Sequence, residues 1–474
     1  MHRYGICLAT VLAGAVLLTA CGGSGAVQTG QDSSGSGATN KSAPAVVTAG
    51  DAPMNSVLAA LVTVSAVTFT SASGSVSLLT QPTTIELTHL GGIRAPLVMN
   101  SLAAGTYTSM SIGVSAATIT YVNSAGSVVT SQATIPSGQG TQTITFTSPL
   151  TVSSSSAVDV RFDFDLQKSL DLTGSTVTFT PVIGGAAANV QGEAQSDRTI
   201  YLDGTVSATS TSANTITVVQ ESSGLSVTLN VNQQTSFDDS LTLATLTTGT
   251  EVETVDTLGT DGTLTADSVD DVDGGTSEGQ QGRVDGGVVV SVTRDSQNNL
   301  TSFTMVIRNC LHADNLGKTL TVDVNSGTDI KSSMRATNAG LSSFDQSSIF
   351  AGQGVWVAGT TVQTATDTVL ATEIRPAAVS PVGLTTAAVQ AGASGAYSVV
   401  LLLNNESNFA QFANITSVTV DINSQTVLDG QGLSSASLAN LAGGTPLIAR
   451  GFLSASGSSD VLFCSHLHEQ ASSN

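Results

Sequence analysis

Cys464, His466 and His468 form the softest set of metal ligands in the sequence. On an extended segment their spacing of two puts all three on one side, close enough to share an ion. A fourth ligand is not evident; His312, two residues from Cys310, would join them only if the two segments touch. Exposed histidines on a fraying end are the plainer account and the one preferred. The acidic run Asp267-Ser268-Val269-Asp270-Asp271-Val272-Asp273-Gly274-Gly275 is a second candidate, because Ca²⁺ wants clustered oxygens and Asp270, Asp271 and Asp273 could supply them. It departs from an EF-hand: with Gly274 as the turn glycine, Val269 stands first and Gln280 last. A solvated linker between modules is the favoured reading. Asp159, Asp163 and Asp165 share one face of a strand with Arg161, and a polar outer sheet face accounts for them.

Catalytic patterns are thin. The sequence has no Ser-x-x-Lys and no His-Glu-x-x-His, since His468-Glu469 runs into the tail. With His2 set aside, His89, His312, His466 and His468 are the only imidazoles for base chemistry. A carboxylate pair for glycoside cleavage can assemble from anywhere in a chain. Sugar sites, however, stack rings on aromatics, and Trp356 is the sole tryptophan, placed on a strand where core packing is the default.

The elements that must hold these residues are strands. At 474 residues the chain needs several cores. Charged residues make up 10%, while Ser, Thr, Gly and Val abound, a text that suits pleated sheets better than helices. The net charge of -21 and pI of about 4.2 argue against nucleic acid and against electrostatic adhesion to anionic lipid. A membrane link must then be covalent.

Residues 1–20 offer such a link. Arg3 precedes an apolar run from Ile6 to Leu18, too short to span a bilayer and of signal-peptide proportions. The run closes on Leu18-Thr19-Ala20-Cys21, which resembles the lipobox of bacterial lipoproteins and implies acylation of Cys21 after cleavage. Gly22 in place of Asp favours the outer membrane, with the periplasmic or surface face open. Residues 21–50, rich in Gly, Ser and Ala, are expected to be a disordered tether. Cys7 belongs to the signal, leaving Cys310 and Cys464 as either a disulfide or two separate buried thiols.

From 51 to 183 short alternating runs predict a β-sandwich. Val158, Val160, Phe162, Phe164 and Leu166 alternate with polar residues, as do Ile144 and Phe146, and Val177 and Phe179. Asp51-Ala52-Pro53, Leu102-Ala103-Ala104-Gly105-Thr106-Tyr107-Thr108, Phe162-Asp163-Phe164-Asp165 with Lys168-Ser169, and Pro181-Val182-Ile183 follow in order. Together they resemble the envelope family known as domain of unknown function 4382, which implies a transthyretin-like sandwich and brings no catalytic residues.

Behind it lies a diverged repeat. Leu229-Asn230-Val231-Asn232-Gln233-Gln234-Thr235 matches Val322-Asp323-Val324-Asn325-Ser326-Gly327-Thr328 and Val420-Asp421-Ile422-Asn423-Ser424-Gln425-Thr426. A strand ending in an Asn turn explains the pattern. Leu246-Thr247-Thr248-Gly249-Thr250, Phe350-Ala351-Gly352-Gln353-Gly354 and Leu441-Ala442-Gly443-Gly444-Thr445 follow in turn, each leading into an apolar run. Three modules are expected, at 199–273, 283–377 and 380–466, with linkers at 184–198 and 274–282 and a tail at 467–474. They resemble domain of unknown function 5666 and are expected to be small β-barrels, OB-like in one form.

The all-β sequence therefore reads as a non-enzymatic, lipid-anchored envelope protein, a structural or binding array without a cofactor, whose partners are the membrane through Cys21 and an unidentified envelope or extracellular ligand. A Ca²⁺-assisted adhesin or glycan-binding lipoprotein, and an envelope hydrolase, are the alternatives.

Overall fold

The computed structural model describes residues 42–469 apart from 53, 55, 175, 195, 221–222, 239–240, 273–281, 311–314, 364–366, 388, 393–395, 404–414, 430–432 and 457–458. The fold is all-β. Helical pieces such as Met334–Ala339 and Ser435–Leu438 are single short turns between strands.

The first part is a two-sheet sandwich. Its strands are β1 (Ser42–Ala52), β2 (Val57–Ser71), β3 (Gly74–Ser77), β4 (Thr83–Glu86), β5 (Arg94–Ala103), β6 (Gly105–Val122), β7 (Val128–Gln132), β8 (Thr141–Val152), β9 (Val158–Asp165), β10 (Leu170–Asp171), β11 (Thr178–Phe179) and β12 (Ile183–Asn189). One sheet runs β12-β9-β1-β5; the other runs β3-β2-β6-β7, with β4 beside β2 and β8 beside β6. Both contribute to one core that includes Phe69, Phe162, Phe164 and Phe179. The alternation along β9 sends Val158, Val160, Phe162 and Phe164 inward.

Two expectations are corrected here. Residues 42–50 are not tether but most of β1, a central strand paired antiparallel with β5 and parallel with β9. Ala43, Ala45, Val47 and Ala49 are small enough to pack between close neighbours and apolar enough to enter the core. Residues 184–189, expected as linker, complete the same sheet as β12 against β9.

Three further sheets share one plan. The first comprises β13 (Thr199–Ser210), β14 (Thr215–Val219), β15 (Ser226–Asn230), β16 (Ser236–Phe237), β17 (Glu251–Leu258) and β18 (Leu264–Asp271). The second comprises β19 (Gly282–Arg294), β20 (Leu300–Cys310), β21 (Thr319–Asp323), β22 (Asp329–Ile330), β23 (Gly354–Gln363) and β24 (Thr368–Ala377). The third comprises β25 (Val382–Thr385), β26 (Gln390–Ala391), β27 (Tyr397–Leu403), β28 (Ser417–Asp429), β29 (Pro446–Ser456) and β30 (Ser459–Glu469). Counting main strands one to five in each, the first pairs with the second and fourth, the second with the third, and the fourth with the fifth. The third and fifth close the ring in parallel, as Leu229 opposite Leu264, Thr321 opposite Thr368 and Thr419 opposite Val461. This is the five-stranded order of an OB-like barrel.

The repeated Asn-x-x-Thr motif sits at that closing seam. In the first barrel Asn232 Oδ1 accepts from Gln234 N–H at 2.7 Å, Asn232 N–H donates to Thr235 Oγ1 at 3.0 Å, and Thr235 Oγ1 donates to the Ala266 carbonyl at 2.6 Å. In the second, Asn325, Gly327, Thr328 and the Ala371 carbonyl make the same bonds at 2.7, 3.1 and 2.8 Å. In the third, Asn423, Gln425, Thr426 and the Cys464 carbonyl make them at 2.8, 3.1 and 2.7 Å. The asparagine folds the turn and the threonine ties it to the fifth strand. A glycine on each first strand completes the plan. A Cβ at Gly204, Gly287 or Gly383 would run into the carbonyl of Val219, Val306 or Leu402 on the second strand.

Candidate functional site: a buried charged junction

The sandwich and the barrels meet at buried charged side chains, with Glu86, Arg308 and Arg450 among them set singly in apolar strands. Glu86 lies between Ile85 and Leu87 and is fully buried, so its carboxylate must be satisfied internally. Its Oε1 accepts from Ala60 N–H at 2.8 Å, Thr88 N–H at 3.0 Å and Thr88 Oγ1 at 2.8 Å. Its Oε2 accepts from His89 N–H at 3.0 Å and faces His89 Nδ1 at 2.9 Å. The turn Thr88–Leu90 is held by these bonds and aims the imidazole out of the sandwich, where Nε2 lies 3.7 Å from Asp203 Oδ1 on β13. Burial works against the charged imidazole, but Asp203 and Glu86 on either side outweigh it and push its pKa up to about 9. Burial likewise opposes ionisation of Glu86 and Asp203, yet His89 holds both below their ordinary values.

Beside this triad is a cavity of about 30 Å³, lined among others by His89, Arg308, Asn309, Trp356, Ser380 and Arg450. Its volume suits a few heavy atoms, not the several hundred Å³ of a typical substrate pocket. Arg450 on β29 donates from Nη1 to the His89 carbonyl at 2.6 Å, and Arg308 on β20 donates from Nε to the Leu58 carbonyl at 2.5 Å. Both tie a barrel to the sandwich. Trp356 is buried on β23 among Val272, Val284 and Ala358, the packing role expected of it.

A second knot joins the first two barrels. Arg375 on β24 donates from Nη1 to Asp238 Oδ2 at 2.6 Å and to the Asp271 carbonyl at 2.8 Å, and pairs with Glu373. Arg335, on the short helix Met334–Ala339, approaches Glu253 at 3.0 Å and Asp270 at 3.7 Å and lies over the Tyr201 ring. Burial pushes the Asp270 carboxyl up to about 8, even against the pull of Arg335.

Against this geometry the comparisons add a family to one part of the chain. Residues 45–181 match the model described as Domain of unknown function (DUF4382). The DUF4382 region thus runs from β1 through the sandwich to the residues just before β12. No curated protein matches the chain. Among solved structures, the single-stranded DNA binding protein from Thermus aquaticus aligns with 41% of this chain and 94% of its own, at 11% identity and a TM-score of 0.17. A deletion mutant of that protein aligns with 41% and 95%, at 12% identity and a TM-score of 0.17.

The residues singled out from sequence are distributed differently from expectation. Cys464 and His466 do not share a face. In β30 Cys464 lies opposite Gly451 and His466 opposite Arg450, so Ser465 bulges between them and inverts the alternation. Cys464 and Leu467 therefore both enter the third barrel's core, while His466 turns outward against Tyr201, with ring centroids 6.1 Å apart. Cys464 is a free thiol whose Sγ donates to the His466 carbonyl at 3.2 Å, which replaces the disulfide considered with Cys310. Cys310 ends β20 in the second barrel, opposite Asp285. Among the described residues no three His, Cys, Asp or Glu side chains converge as a metal site.

Asp270 and Asp271 are not in a solvated linker. They end β18 and are 1% and 4% exposed, drawn inward by Arg335 and Arg375. Asp159 is buried too, under Arg94 at 2.6 Å and Arg161 at 2.8 Å, so only the Asp163 end of that strand face meets solvent as expected. Asp165 caps the following turn by accepting from Lys168 N–H. Cys7, Cys21, Asp273 and His312 lie outside the described residues. So does Gly275-Thr276-Ser277-Glu278-Gly279, which has the letters of a nucleophile elbow but follows a barrel strand rather than the α/β sheet such an elbow needs.

The junction residues Glu86, Arg308, Arg335, Arg375 and Arg450 were not picked out from sequence. A signal was available for Glu86, Arg308 and Arg450: each is a lone charge in a strongly apolar strand of a chain with only 14 Lys and Arg. Isolated charges of that kind are buried with partners or not buried at all.

Proposed function

We propose that this is a non-enzymatic lipoprotein of the bacterial envelope, exported, cleaved before Cys21, and held by acyl chains on that cysteine. Its sandwich, from Ser42 to Asn189, and the three barrels behind it act as one structural or binding array. The outer membrane is the favoured address, and the three barrels are the repeats that resemble domain of unknown function 5666. The observation that carries the array reading is the buried pair Arg375–Asp238, 2.6 Å long, between two barrels. A desolvated pair of this kind is costly to separate, so the first two barrels work as a block and not as beads.

The test is mass spectrometry of mature protein from solubilised envelope. A diacylglyceryl and N-acyl modification on residue 21, with residues 1–20 absent, is the expected result. An unmodified residue 21 or an intact first twenty residues would remove the anchor. A screen of ester, peptide and glycoside substrates tests the non-enzymatic part, which turnover abolished by replacing one acidic residue would overturn. A Ca²⁺ titration with a glycan panel addresses the adhesin alternative.

A further inference from the structure

We propose that the cavity between His89, Arg308, Trp356 and Arg450 is a binding site for a small planar oxyanion, a carboxylate or bicarbonate. This goes beyond the array reading and holds whether or not the chain is lipid-anchored.

Charge is the first argument. Arg450 is 4% exposed, and neither its guanidinium nor that of Arg308 has a carboxylate within 4.0 Å among the described residues. Their recorded bonds go to the His89 and Leu58 carbonyls, with a longer one from Arg450 to Ser380 Oγ. A neutral carbonyl does not offset a desolvated cation. The carboxylates around the cavity are already engaged. Glu86 and Asp203 flank His89, and Glu253 faces Arg335 at 3.0 Å. Asp270 likewise lies 3.7 Å from Arg335. The guanidiniums of Arg308 and Arg450 are therefore left without a carboxylate of their own at the cavity.

Unmet donors are the second argument. Trp356 Nε1 and Arg450 Nε are buried without a hydrogen-bond partner, and both belong to the lining. Each can only donate, so the complement they lack is an acceptor. A water supplies acceptor capacity but no charge; a planar oxyanion supplies both, and a guanidinium fork matches its two oxygens. Space is the third argument. Gly286 and Gly287 lend the wall no side chain, and the volume of about 30 Å³ has room for a small anion. Such an anion is either free in solution or the terminal carboxylate of a peptide.

Trp356, as the sole tryptophan, reports on its own site. The full chain is titrated with sodium formate, acetate, bicarbonate and sulfate at constant ionic strength held with chloride, following tryptophan emission and heat. Saturable responses to formate, acetate and bicarbonate but not sulfate are expected, weakened about tenfold or more in Arg450→Met. Triglycine and its C-terminal amide distinguish the sources: binding of the free acid alone assigns a peptide terminus, and binding of formate without triglycine assigns a free anion. No saturable response, an equal response to sulfate, or an unchanged response in a folded Arg450→Met would overturn the site. Should Arg450→Met fail to fold, Arg308→Met and Trp356→Phe are read by calorimetry, where unchanged affinity in both overturns it and loss in either supports it.

Discussion

Arg375 Nη1 of the second barrel and Asp238 Oδ2 of the first stand 2.6 Å apart, with side chains only 2% and 3% exposed. Removing one partner from such a pair strands the other. Arg375→Met is expected to cost about 3–5 kcal/mol, whereas Arg375→Met with Asp238→Leu should recover part of that loss. Equilibrium denaturation of both variants and of Asp238→Leu closes the cycle. Strict additivity would show that the two side chains do not depend on each other.

His89 makes the junction sensitive to alkali. Its pKa is raised from 6.5 to about 9 in the folded chain, so the stability it contributes is complete below about pH 6.5 and is lost as pH climbs through 9. The loss amounts to roughly 3 kcal/mol. Glu86 and Asp203 are shifted downward, so their contribution is present above their ordinary range and disappears as pH falls through their folded values. Denaturant midpoints measured from pH 5 to 10 should decline above 6.5 in the native chain and stay flatter in His89→Gln. The same decline in both would assign the alkaline loss to another group.

The threonine ties should be interchangeable in energy. Thr235→Val, Thr328→Val and Thr426→Val each remove one hydroxyl that bonds the fifth strand, and each is expected to cost about 1 kcal/mol. Thermal unfolding of the three single variants provides the comparison, and a neutral result at all of them would reduce the motif to a turn signal.

Cys464 should resist thiol reagents until the third barrel opens. Its thiol is buried, hydrogen-bonded to a backbone carbonyl, and held by burial far above the ordinary thiol range. Peptide mapping after alkylation is expected to find it unlabelled in native protein and labelled in denaturant. Fast native labelling would contradict its place in the core.

The all-β class and the sandwich were legible because period-two alternation along β9 reports one buried face. The Asn-x-x-Thr copies were legible because each repeats a hydrogen-bonding job at the same seam. β1 escaped notice because Ala43 to Ala49 share the small-residue composition of a linker, and only pairing with β5 and β9 distinguishes them. The Cys464–His466–His468 face failed for a different reason: the bulge at Ser465 is set by the register of β29, and alternation along one strand carries no trace of it. Lone charges such as Glu86 and Arg450 bear no local sign of one another, because they lie hundreds of residues apart and meet only through the packing of the domains.

The central position of β1 also bears on how the molecule carries load. Because β1 is bonded along both edges, to β5 on one side and β9 on the other, tension applied through the residues before Ser42 runs along its axis. When the tension acts along that axis, two ladders resist in parallel. A pull along that axis from the amino-terminal side thus loads two ladders of the sandwich at once.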